Sequence, residues 1–135
     1  MELHLNVIGL LLIVLALIHA TFPKYFNWAN ELSSISLINR QMMYVHTFFI
    51  ALAVLLMGVL CLASSKEIIE TELGNKLALG LSIFWTARLG TQFFGYSSKL
   101  WKGRKFETTV HILFSFLWTY VSVVFFIVYW SGKNL

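Results

Sequence analysis

The chain holds a single cysteine, Cys61, and a single proline, Pro23. One thiol excludes a disulfide framework and a cysteine-built metal centre, so Cys61 reads as a small apolar residue. Charge is scarce as well. Asp, Glu, Lys and Arg make up 12% of positions against 59% hydrophobic residues, where soluble domains carry roughly 25% charged residues. The composition is that of a membrane protein. A net charge of +4 is low for a nucleic-acid binder, and no such partner is expected. No Asp or Glu interrupts the long apolar stretches, which argues against a carboxylate proton relay at membrane depth. No serine or cysteine stands in a setting that suggests nucleophilic catalysis.

Four apolar runs are present, at 5–22, 42–63, 77–96 and 108–130, each near the roughly 20 residues a helical span requires. Stretches such as VLALI, IALAVLLMGVL and VSVVFFIVYW do not alternate, which excludes the strand pattern of a membrane barrel. The expected fold is all-α: one transmembrane domain over 1–135, an integral membrane four-helix bundle with antiparallel neighbours. The first run opens MELHLN, without the basic start of a signal peptide, and is read as a true span. Gly80, Gly90 and Gly95 are candidates for close helix contact.

The connections at 23–41 and 97–107 fall on one side of such a bundle. They hold Lys24, Arg40, Lys99, Lys102, Arg104 and Lys105, whereas the other side holds Lys66, Lys76 and Lys133. Six cations against three make the first side cytoplasmic and place both termini outside, in the inner membrane of a bacterium if the host is bacterial. The first connection is long for a hairpin. Trp28, Leu32 and Ile35 give it one apolar edge, the pattern of a short helix at the membrane surface, and it could serve as an anchor or as a lid. Pro23 is the expected stop of the first span.

The intramembrane polar residues share a level. His19 lies near the cytoplasmic end of the first span, His46 about five residues into the second and His111 about five residues into the fourth, so all three fall within about 5 to 8 Å of one face. In the third span Trp85, Arg88, Gln92 and Tyr96 form a single helical stripe, as do Thr108, His111, Ser115, Thr119 and Ser122 in the fourth. Met42, His46, Phe49, Ala53 and Met57 are the expected inner face of the second.

Imidazole is the commonest transition-metal ligand, and His19, His46 and His111 could hold Fe, Zn or Cu. Two of them could instead hold a haem b iron. Arg88, Gln92, Tyr96, Thr108, Glu107 and Arg40 are then candidates to bind substrate or to orient the rings. Glu107 could pair with Arg104 or Lys105, or reach His111. This reading implies a redox or lipid-modifying enzyme, a metal- or haem-dependent oxidoreductase. A metal-free reading uses the same layer in a non-catalytic membrane subunit or small transporter, with Arg88 binding an anion or a quinone oxygen. An ordinary interfacial histidine and an arginine reaching up to water are the plain alternatives. The expected partners are the lipid bilayer, a hydrophobic or anionic small molecule and a second copy of the chain.

At SLINRQMMYVHTFFIALAVLLMG and GYSSKLWKGRKFETTVHILFSFLWTY the chain resembles a family of small bacterial four-span membrane proteins found in Bacteroidetes and related groups. The similar positions are Asn39, Arg40, Gln41, His46, Thr47, Arg88, Gln92 and His111. The resemblance implies the same four-span fold and brings no activity with it. Proteins of the DoxX-like and MAPEG families match in size and hydropathy, but their motifs are not found.

Overall fold

A computed structural model describes residues 1–134. The chain is helical, with no strand among the described residues, and runs α1 (Glu2–His19), α2 (Phe22–Tyr25), α3 (Trp28–Glu31), α4 (Leu37–Ala63), α5 (Ser65–Glu70), α6 (Glu72–Phe94), a 3₁₀ turn (Ser98–Leu100) and α7 (Lys105–Lys133). Three of these, α1, α4 and α7, are long and apolar enough to cross a membrane. The expected third span, α6, has the length, but Asn75, Lys76, Ser82, Arg88 and Gln92 leave it outside that group.

Local chemistry explains why the helices begin earlier than the apolar runs. Ser36 caps α4, its Oγ accepting from the Asn39 amide at 3.5 Å, so Asn39, Arg40 and Gln41 belong to the first turns of the helix and not to the loop. Thr71 caps α6 in the same way, accepting from the Gly74 amide at 2.9 Å. A side-chain acceptor at this position satisfies an amide that the helix leaves unpaired. Pro23 is not a stop signal. The first helix ends at His19, and Pro23 stands in the first turn of α2, where its missing amide is not needed. The loop forms two single turns, α2 and α3, rather than one amphipathic helix: Trp28 is buried, Leu32 half-buried and Ile35 exposed.

The chain divides into two compact units, Leu3–Ser65 and Lys66–Leu135, the latter joined by the first two residues. In the first unit α1 and α4 meet at glycines. A Cβ on Gly9 would lie 2.8 Å from the Gly58 carbonyl oxygen, and one on Gly58 would lie 2.8 Å from that of Gly9. Without side chains at these positions the two backbones touch, which is how helices associate where the hydrophobic effect is missing. The expected glycines do not take this role: Gly80 and Gly90 have nothing within 4 Å of such a Cβ. The face of α4 that packs inward is also turned from the one expected. Val54, Gly58 and Cys61 are buried, whereas Met42, His46, Phe49 and Ala53 are exposed.

In the second unit α6 packs along α7. The contacts Ser82–Ser122, Trp85–Trp118 and Gln92–His111 advance along one helix as they retreat along the other, the register of an antiparallel hairpin. Near its far end Gly132 leaves room for the Asn75 side chain.

Candidate functional site

The polar residues of α6 and α7 form a connected chain. Gln92 is 8% exposed, and its Nε2 lies 2.9 Å from His111 Nδ1. On its other side Arg88 Nη1 donates to Gln92 Oε1 at 3.3 Å and to Thr91 Oγ1 at 3.1 Å. The guanidinium therefore orients the amide. Because Arg88 has only donors, Gln92 must turn its oxygen to it and its NH₂ to His111, which makes Nδ1 the acceptor and places the imidazole hydrogen on Nε2.

Aromatic rings enclose this chain. Trp101 stacks on His111 at 4.0 Å between centroids and 9° between planes. It is held there by Thr108, whose Oγ1 donates to the Trp101 carbonyl at 2.5 Å. Arg88 Cζ stands 5.1 Å from the Trp118 ring centroid and 5.8 Å from that of Tyr96, within reach for cation–π attraction. Trp118 in turn stacks on Trp85 at 5.0 Å and 10°.

Around Arg88 the groups left without a partner are donors, whereas the buried Asn75 Oδ1 and Ser122 Oγ are unpartnered elsewhere on the hairpin. Arg88 spends both Nη1 hydrogens on Thr91 and Gln92, which leaves the Nε and Nη2 edge, the parallel pair that matches a carboxylate or phosphate. The indole Nε1 atoms of Trp85 and Trp118 are buried without an acceptor, an expensive state for an N–H group away from water. No carboxylate balances the guanidinium: the one ion pair among the described residues is Glu72–Lys76. Glu107 is exposed, and the pairings expected with Arg104, Lys105 or His111 are not formed; His111 turns to Gln92 instead.

Among the described residues no group of three or more His, Cys, Asp or Glu side chains is placed to hold a metal ion. The three candidate histidines differ in how their rings are bonded. His111 has its Nδ1 lone pair occupied by Gln92 and its Nε2 protonated, the reverse of a ring ready to ligate through Nε2. His46 is exposed on α4. His19 has its Nδ1 2.8 Å from the Leu15 carbonyl. Arg40 is half-buried in the first turn of α4, in the other unit from Arg88.

Two participants were not legible as such. Trp118 reads in sequence as a belt or core aromatic, and it is buried; it follows His111 by seven residues and so shares its face. Trp101 lies in a loop, where no periodicity could predict its stacking. No protein-family model, curated protein or solved structure matches the chain.

Proposed function

We propose that the chain is a four-span protein of the bacterial inner membrane, oriented with both termini outside, that binds the anionic head of an amphiphile at Arg88 as a binding or transport component. The observation that carries this reading is the set of unanswered donors, one guanidinium edge and two buried indole N–H groups, with no acid beside them. Arg88 lies six residues before the end of α6, about 9 Å along the helix, near the depth at which a lipid head meets the hydrocarbon. An intramembrane cation without an acidic partner is a mark of a ligand or ion pathway. The α6 span is accepted in this reading because Arg88, Gln92 and Ser82 spend their polarity on α7 and on the ligand.

The shared chemistry is a carboxylate or phosphate monoanion on an apolar chain. A phospholipid and a fatty acid both supply it. Native mass spectrometry of the full chain released from mixed phosphatidylglycerol and phosphatidylcholine nanodiscs tests the first, and titration with oleate tests the second. We expect selective retention of one of these anions and a loss of about 10- to 100-fold in its affinity in Arg88→Gln, the scale of hydrogen bonds to a charged group. Arg88→Lys should recover only part, because an ammonium lacks the parallel donors. Equal retention of anionic and zwitterionic lipid, together with no oleate binding, would overturn the proposal.

A further inference from the structure

The Leu3–Ser65 unit has a site of its own. A cavity of about 360 Å³ is lined by residues of α1, the loop and α4, among them His19, Trp28, Tyr44, Thr47 and Phe48. Asn27 explains how the loop reaches it. Its φ of 52° is left-handed, a conformation that asparagine tolerates better than most residues, and it turns the chain at the start of α3. Trp28 thereby becomes 7% exposed and meets Tyr44 edge to face at 5.4 Å and 88°.

His19 supplies the chemistry. Its Nδ1 faces the Leu15 carbonyl at 2.8 Å, and a carbonyl only accepts, so Nδ1 carries the hydrogen. In the neutral ring Nε2 is then a lone-pair acceptor. No Lys, Arg, Asp or Glu is among the described residues lining the cavity. A charged head would enter without a counter-charge, and a plain aliphatic chain would leave the imidazole acceptor unanswered. The indole, phenol and phenyl rings around it favour a flat aromatic group. The volume falls within the roughly 300–1,000 Å³ of small-molecule sites.

We propose that this cavity binds a membrane-soluble quinol, whose ring packs against Trp28, Tyr44 and Phe48 and whose hydroxyl donates to His19 Nε2. The inference goes beyond the anion site at Arg88 and stands without it, since the two use different residues, ligand charge and compact units.

Calorimetric titration of the full chain in phosphatidylcholine nanodiscs, under anaerobic conditions without added reductant, tests it with decylubiquinol, decylubiquinone and decanol as probes. We expect saturable binding of the quinol, about tenfold tighter than of the quinone, whose carbonyl cannot donate to the lone pair. His19→Phe should erase that difference. Ala51→Trp, which fills the cavity from α4, should abolish binding of both. If decanol binds as tightly as the quinol, or if Ala51→Trp binds it like the native chain, the proposal fails. Should His19→Phe not fold, the probe series on the native chain and Ala51→Trp decide the matter.

Discussion

Gln92 shows how much one amide can set. It accepts from Arg88 and donates to His111, so it hands the polarity of the guanidinium to the imidazole and settles which nitrogen bears the hydrogen. Gln92→Leu removes both bonds, leaving His111 Nδ1 without its partner and Arg88 Nη1 with Thr91 alone. The expected cost is about 1–3 kcal/mol, read from the shift in a denaturant titration of the purified chain in detergent. The nitrogen-15 shifts of His111 should change with it, from an Nε2–H tautomer to a mixture. A Gln92→Leu chain with native stability and an unchanged His111 spectrum would show that the network contributes nothing. Thr108 acts one step further away, through the Trp101 carbonyl; Thr108→Val should loosen the stacking on His111 and increase the exposure of Trp101 to aqueous quenchers.

At the scale of elements, glycines differ by what faces them. Gly58→Ala pushes a methyl against the Gly9 carbonyl and Ile13, and separating two packed helices by this much costs about 1–3 kcal/mol. Gly80→Ala meets nothing and should stabilise α6 by up to about 1 kcal/mol through helix propensity. Thermal midpoints of the two variants should therefore move in opposite directions. The first turn of α6 carries a pH dependence. Glu72 accepts a hydrogen bond from Lys76, and that bond and the ammonium charge lower the Glu72 pKa from its ordinary value while raising that of Lys76. The carboxylate's contribution is present above its unfolded-state pKa and is lost as the pH falls through the lowered folded value; the ammonium's is present below its unfolded-state pKa and is lost as the pH rises through the raised one. Both groups are exposed, so screening by solvent keeps the effect small. Glu72→Gln should leave the midpoint at neutral pH nearly unchanged, and the difference from the native chain should vanish in acid.

For the whole molecule the testable quantity is sidedness. With Cys61→Ala as background, a cysteine at Ser98 should react with an impermeant maleimide only from the cytoplasmic side, and one at Ser131 only from outside. A cysteine at Glu70, just before α6, should label only from outside; labelling of it and of the Ser98 cysteine from one side would remove α6 as a span and leave the three apolar helices alone.

Periodicity and length were sufficient for the helical class, for three of the four expected membrane-length helices and for placing Arg88 and Gln92 on one helical face, because residues three and four apart on a helix must be neighbours. Depth could be counted along each helix, which brought Gln92 and His111 to one level. Rotation could not be counted, since every side of an apolar helix looks alike in composition. The tertiary structure alone decided that α4 turns Val54, Gly58 and Cys61 inward and His46 out, that Gly9 and Gly58 make the close contact, and that Trp101 folds onto His111. Such choices come from packing and from hydrogen bonds between distant residues, and the order of residues along the chain records them only indirectly.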